Sequence, residues 1–308
     1  MELAIVILNW NAAADTVRCA RDLSSWSRVR PTIWVVDNGS TDGSAEVIAQ
    51  ECPFVHLICN SANLGFAGGN NRGIKEALAQ GDRPVLLLNN DAFIDEDNII
   101  LLLETLHSDP HIGFVGPLLF DAEHKDRLLA AGGQNPVLHH HSHVLRLKPG
   151  PSIREVEYVV GTVILVRPQV FRQVGLLDER YFFAMEVADL CMRARRQGYL
   201  SVVDTRARAY HALHRSSHVR ETLHTYYIIR NRFLFISKFY SGLVKLLLRG
   251  FWTLYSPALG IKLTLSRKPS AARAVLLGLL DGLRGHFGGQ NARVLSWVMN
   301  QSEDQPQK

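Results

Sequence analysis

Two carboxylates in the first hundred residues stand where a chain could hold a phosphate-bearing ligand. Asp37 opens the run Asp37-Asn38-Gly39-Ser40-Thr41-Asp42-Gly43-Ser44, and Asp91 closes Asn89-Asn90-Asp91. Each run follows a short apolar segment. A carboxylate at a strand end can accept hydrogen bonds from a nucleobase N–H or from ribose hydroxyls. One exposed at the middle of a sheet can hold Mg2+ or Mn2+ bridging a diphosphate, since hard cations take oxygen ligands and keep several waters. Local roles compete. Asp42 or Ser44 suits an Asx turn that caps the next helix, and Asp95 suits a helix cap better than Asp91 does.

The segment Asn63-Leu64-Gly65-Phe66-Ala67-Gly68-Gly69-Asn70-Asn71-Arg72-Gly73 adds a glycine-rich helix start. Glycines permit close backbone approach, and a helix N-terminus offers N–H groups to anionic phosphate. It lacks the G-x-G-x-x-G order and does not follow the first strand, which speaks against a nicotinamide enzyme.

Positioning these groups requires a sheet. Residues 3–8, 32–36 and 84–88 are short apolar runs, each ending in a polar loop: Asn9-Trp10-Asn11, Asp37 to Ser40, and Asn89-Asn90-Asp91. Helix-like stretches at 13–23, 44–52 and 69–79 lie between them. Such alternation predicts a mainly parallel α/β sheet whose ligand sits at the carboxyl ends of the strands. A further strand is expected over 158–166, after a loop-rich region at 121–154. A helix follows over 189–197, then basic, apolar helices over 226–240, 243–254 and 271–283. The spacing predicts a domain over 1–220 and a helical region over 221–308.

Charge separates the same two parts. Residues 228–293 hold eleven Lys/Arg against Asp281 alone, a net +10 that leaves −5 for the rest of a chain totalling +5. An acidic body argues against nucleic acid as partner. The basic tail interleaves Phe239, Tyr240, Leu243, Leu246, Phe251 and Trp252 with Lys245 and Arg249, which suits a helix lying on an anionic membrane; a packed helical subdomain or an oligomer interface is the rival. No run reaches the roughly 18 apolar residues of a spanning helix, and no signal peptide opens the chain. The expected location is cytoplasmic, peripheral on the inner face of the cell membrane. Cys19, Cys52, Cys59 and Cys191 show no metal-ligand spacing and read as buried thiols. The run His139-His140-His141-Ser142-His143 reads as a solvated loop.

Together these residues resemble the family 2 glycosyltransferases of the GT-A fold, in their bacterial rhamnosyltransferase-like branch. The resemblance rests on VILNWN at 6–11, VVDNGSTDGS at 35–44, NLGFAGGNNRGI at 63–74 and LLLNNDAFID at 86–95. It continues through GTVILVRPQVFRQVGLLDERYFF at 161–183, DLCMRARRQGY at 189–199 and YYIIRNR at 226–232. It implies a nucleotide-sugar site in which Asp37 holds the nucleoside, beside Asn9, Asn11 and Asn38, while Asn63, Gly65 and Asn71 line the diphosphate pocket. Asp91 matches the metal-binding end of the family's D-x-D motif, and Asn89, with Asn90 beside it, its degenerate start. His211 stands where a histidine can complete the metal shell, with His214 as near alternative. The implied cofactor is Mg2+ or Mn2+.

One departure matters. The family's Glu-Asp-x-Asp-Leu-Cys motif reads Glu186-Val187-Ala188-Asp189-Leu190-Cys191 here. Val187 cannot take the proton of an attacking hydroxyl, a task worth about 10²- to 10⁴-fold in rate. Glu186 is the favoured substitute, ahead of Asp189. The resemblance thus implies inverting transfer of a sugar, with rhamnose preferred, from a dTDP- or UDP-sugar donor to a glycan or lipid-linked acceptor. A catalytically impaired sugar-nucleotide- or glycan-binding homologue is the alternative.

Overall fold

A computed structural model describes residues 1–212 and 218–299. The chain divides into two compact units, Met1–Asp178 with Val187–Leu213, and Glu179–Glu186 with His214–Lys308.

The first unit runs β1 (Glu2–Asn9), α1 (Ala13–Ser24), β2 (Arg30–Asp37), α2 (Ser44–Glu51), β3 (His56–Cys59), α3 (Gly65–Ala79) and β4 (Val85–Asn89). It continues with β5 (Ala92–Phe93), α4 (Glu96–Ser108), β6 (Ile112–Asp121), β7 (Leu128–Ala130), β8 (Ile153–Val156), β9 (Val163–Val166) and α5 (Pro168–Val174). Last come α6 (Glu186–Arg195), whose first residue belongs to the second unit, and β10 (Leu200–His211). The sheet order is β3-β2-β1-β4-β9-β6-β10-β5, with β7 beside β6 and β8 beside β10. The first four strands pair in parallel. Beyond β4 the sheet is mixed: β9 runs antiparallel to β4 and β6, and β10 parallel to β6.

Alternation along the strands decides what covers each face. Leu3, Ile5, Ile7, Ile33 and Val35 pack with Val17, Ala20 and Leu23 of α1 and Ile99, Leu102 and Leu103 of α4. Val6 and Val36 point the other way, towards α3. That helix lies flush on the sheet because Gly69 and Gly73, one turn apart, carry no side chain. A Cβ there would come within 2.4 Å of Leu8 and 2.5 Å of Val6.

Several elements differ from the sequence expectation. α3 starts at Gly65 instead of 69, since Gly65 adopts a left-handed φ of 73° and its N–H is met by Asn63 Oδ1 at 2.8 Å. The strand expected over 158–166 shrinks to β9, because the chain turns at Gly161 and Thr162. Cys59 is exposed at the end of edge strand β3, against the expectation of burial. Burial pushes the Cys19 thiol up to about 12 and that of Cys191 up to about 11, so both stay protonated.

Among the described residues, the second unit contains a short 3-10 turn at Glu179–Tyr181 and four helices: α7 (His218–Phe239), α8 (Gly242–Leu265), α9 (Pro269–Arg284) and α10 (Asn291–Met299). α9 seats closely on α7 through Gly278 and Gly282, where a Cβ would meet Tyr226 O at 2.6 Å and Phe233 at 2.5 Å. Phe182, Tyr226, Tyr227, Leu277 and Val294 form its core.

The polarity of α8 is inverted. Its inner stripe is Trp252, Ser256 and Gly260. Its outer stripe is Leu243, Leu247, Phe251, Leu254, Ile261 and Leu265, each between 54% and 81% exposed. Arg249 turns inward to Ser237 and the Phe233 ring. No acid occurs between Glu221 and Asp281. Among the described residues, no helix is long and apolar enough to cross a membrane.

Candidate functional site

Register creates the first part of the site. β1 and β2 pair so that Asn9 stands opposite Asp37, side by side on one face at the carboxyl ends. Asn9 Nδ2 donates to Asp37 Oδ1 at 2.7 Å and to Ser40 Oγ at 3.2 Å. Ser40 adds its own hydroxyl and N–H to the same carboxylate, at 2.6 and 3.1 Å. Asp37 is only 3% exposed, so these donors replace the water it loses. On the far side, Thr16 of α1 donates to Asn9 Oδ1 at 2.8 Å and accepts from Asn90 Nδ2 at 2.9 Å. One hydrogen-bonded chain, Asp37–Asn9–Thr16–Asn90, therefore ties together the ends of β2, β1 and β4. Asn11 joins it: its N–H reaches Ser40 Oγ and its side chain accepts from Thr41 N.

Asn38 links this chain to the glycine-rich turn. Its amide donates to Asn63 Oδ1 and Gly65 O and accepts from Asn60 Nδ2 and Leu64 N, all at 3.0–3.1 Å. A carboxamide has about four such positions, so the side chain is fully engaged in holding residues 60–65. Asn71 bonds the main chain of Leu177, donating to its O at 2.9 Å and accepting from its N at 3.1 Å. Asn38 thus shapes the glycine-rich turn, and Asn71 ties α3 to Leu177. Asp42 and Asp95 take the local roles weighed for them: Asp42 accepts from Ser44 N and Oγ, and Asp95 caps α4 through Asn98 N at 2.8 Å.

The second part pairs Asp91 with His211. β5 and β10 run antiparallel with Ala92 opposite His211, and Ala212 N donates to Asp91 O at 3.1 Å. Closure of that short ladder sets Asp91 Oδ1 3.1 Å from His211 Nε2, with the two side chains 10% and 12% exposed. Neighbouring ligands on an octahedral cation with bonds of about 2.1 Å stand roughly 3 Å apart. An oxygen and a nitrogen donor at that spacing fit a Mg2+ or Mn2+ site. Among the described residues no third His, Cys, Asp or Glu joins them, so other positions would fall to substrate oxygens and water. Asn89 ends β4, its N–H given to Thr162 O; His214 lies outside the described residues.

α6 carries the altered motif. It begins at Glu186, three residues before the expected start. Val187 is 5% exposed, and a Cβ on Gly161 would lie 2.9 Å from its Cγ2 and 3.6 Å from Phe66. Asp189 is wholly buried and accepts from Arg193 Nε at 2.7 Å, while that guanidinium also binds Val174 O and Leu176 O at the end of α5. Through Arg193, Asp189 ties α6 to the end of α5. Glu186, 6% exposed, opens the helix.

Thr16 and Ser40 were not anticipated. Ser40 carried a signal, since it sits three residues after Asp37 in an Asx-type turn. Thr16 carried a weaker one, as a hydroxyl on the stripe Thr16-Ala20-Leu23 that α1 buries.

The model of glycosyl transferase family 2 matches residues 4–131. Over 274 residues the chain is 29% identical to the N-acetylglucosaminyl-diphospho-decaprenol L-rhamnosyltransferase of Mycobacterium tuberculosis, spanning 82% of this chain and 89% of that one. Over 263 residues it is 25% identical to the dTDP-rhamnosyl transferase RfbF of Shigella flexneri, spanning 83% and 87%. Among solved structures, it is similar to the mannosyltransferase PcManGT from Pyrobaculum calidifontis, solved in complex with GDP-Man and Mn2+. The TM-score is 0.58 at 14% identity, over 99% of this chain and 81% of that one. The last likeness bears on architecture alone, and that architecture is the GT-A fold.

Proposed function

We propose, on the premise that this chain belongs to the family 2 glycosyltransferases and is rhamnosyltransferase-like, that it transfers a hexose with inversion. Rhamnose is the preferred sugar, a dTDP- or UDP-sugar the donor, and a hydroxyl of a cell-surface glycan or lipid-linked molecule the acceptor. The relatives' names support this choice, one specifying dTDP-rhamnose and another a diphospho-decaprenol acceptor. The observation that carries the proposal is the Asp37–Asn9–Thr16–Asn90 chain, which orients one carboxylate at three adjacent strand ends.

In this reading Asp37 accepts from the nucleoside, with Asn9 and Ser40 fixing its direction. N–H groups in the first turn of α3 meet the diphosphate, as helix starts do. Asp91 and His211 hold Mg2+ or Mn2+, which when bound neutralises charge on the departing diphosphate. Glu186 takes the acceptor's hydroxyl proton as its oxygen bonds the anomeric carbon and the sugar–phosphate bond breaks.

The domain assignment belongs to the same proposal: residues 1–220 bind the donor, and 221–308 meet the membrane. The outer stripe of α8 supports in-plane contact with the inner face of the cell membrane. A second copy of the chain would bring the same cations to that face, whereas anionic lipid offers the opposite charge.

Val187 favours one rival, a homologue that binds sugar nucleotides without turning them over. The deciding experiment supplies dTDP-rhamnose and a panel of UDP-sugars with Mn2+ and a GlcNAc-diphospho-lipid. Release of nucleoside diphosphate together with an anomerically inverted product is expected. Tight donor binding with no transfer from any sugar would give the rival the better claim.

A further inference from the structure

Immediately before Glu186 the backbone is left-handed at three residues that carry side chains: Phe182 (φ 62°), Ala184 (φ 68°) and Met185 (φ 73°). Each such conformation is unfavourable outside glycine, persists only where its surroundings hold it, and tends to gather at functional sites. The restraint here comes from α7. Asn231 Nδ2 donates to Tyr181 O at 3.1 Å, Phe183 O at 2.9 Å and Ala184 O at 2.8 Å.

Arg230 decides which way that amide faces. Its Nε and one terminal nitrogen both donate to Asn231 Oδ1, at 3.0 and 2.8 Å, so the oxygen turns to the guanidinium and the nitrogen to the carbonyls. The same guanidinium reaches Arg180 O at 3.1 Å, Tyr181 O at 2.8 Å and Gly288 O at 2.5 Å. Both side chains are wholly buried, with the rings of Tyr226 and Tyr227 5.5 and 4.7 Å from the guanidinium carbon. Burying a cation is costly, and an apolar side chain would fill a helix interface at less expense. What an apolar residue cannot do is hold five main-chain contacts at residues 180–184 in one geometry.

We infer that Asn231, oriented by Arg230, is a positioning residue for sugar transfer: it holds residues 181–184, with Phe182 and Ala184 left-handed, in one course and so presents the Glu186 carboxylate to the acceptor hydroxyl. This rests on the reading of Glu186 as the base. Asn231 touches no reacting atom; its effect on rate passes through Glu186.

A double-mutant cycle between Asn231→Ala and Glu186→Gln, read as kcat and donor KM, tests the inference. Alone, Asn231→Ala should lower kcat by about 10²-fold, the lower end of what a misplaced base costs, with donor KM within about threefold. On the Glu186→Gln background it should cost nothing further. Glycine adopts positive φ readily, so adding Ala184→Gly and Met185→Gly to Asn231→Ala should restore part of the lost kcat. Multiplying effects in the double variant, or a loss confined to donor KM, would overturn the inference. Full turnover by Glu186→Gln alone would instead overturn the base assignment, a distinct outcome. Should Asn231→Ala fail to fold, Arg230→Lys replaces it in the cycle, since lysine keeps the charge but cannot make the two-point contact that turns the amide.

Discussion

Asp91 and His211 are 120 positions apart in the chain and 3.1 Å apart in space. The contact depends on a ladder only two residues long, β5 against the end of β10. Asp91→Ala removes the anionic donor and should abolish the Mn2+ dependence of dTDP or UDP binding. His211→Ala should weaken it by at least the roughly 10- to 100-fold that loss of an outer-shell partner costs. Calorimetric titration with and without Mn2+ or chelator checks both. Unaltered Mn2+ dependence in Asp91→Ala would remove that residue from the metal role.

Asn9→Ala deprives Asp37 of a donor and Thr16 of an acceptor. Buried groups left unsatisfied cost about 1–3 kcal/mol, so denaturant titration should show a loss of that order. Nucleotide affinity should fall with it, because the Asp37 carboxylate loses its orientation. A variant as stable as the parent would mean that water replaces the amide and that the network matters less than its geometry suggests.

Val187→Asp separates the transferase from the binding homologue. The side chain packs against Gly161 with little exposure, so an aspartate there must bury a carboxylate or displace its neighbours. Turnover should stay within about threefold of the parent or fall, with a lower melting temperature. A large gain in turnover would show that Glu186 had not been serving as base.

Acid stability should depend on Asp204. Burial alone would raise its pKa, but hydrogen bonds from Arg206 and Thr105 outweigh that and hold it below the ordinary 3.8. A depressed carboxyl contributes stability that is present above its unfolded pKa and lost as pH falls through the folded one. Arg206→Ala should therefore lower the melting temperature at pH 7, and the difference should shrink below about pH 4. A constant difference across that window would assign the effect to packing.

Leu247→Asp and Leu254→Asp each put a charge in the outer stripe of α8, where nothing packs on it tightly. Binding of the full chain to vesicles containing anionic phospholipid should drop steeply, with donor affinity retained. Equal vesicle binding would contradict the lipid role, and a shift from dimer to monomer would reassign the stripe to self-association.

The sequence made the strand ends legible because β1, β2 and β4 are apolar on both faces and stop abruptly at polar residues. The parallel half of the sheet and the grouping of Asn9, Asp37 and Asn90 followed. Two things were hidden. β10 mixes apolar residues with Ser201, Asp204, Thr205, Arg206 and Arg208, so no local pattern, only the family resemblance, pointed to His211 beside Asp91. The second concerned Asn38, Asn71 and Asp189, whose polar atoms bond neighbouring asparagines, main chain or Arg193. Residue type reveals that a side chain can bind, whereas only the fold shows what it has already bound.

The in-register pairing of β1 with β2 has an evolutionary corollary. Because side chains alternate faces, one residue inserted within either strand would turn Asn9 and Asp37 to opposite sides and erase the site at a stroke. Residues added to the 25–29 connection would leave it intact. Length variation among descendants of this chain should therefore collect between the strands and stay out of them, whatever sugar each has come to use.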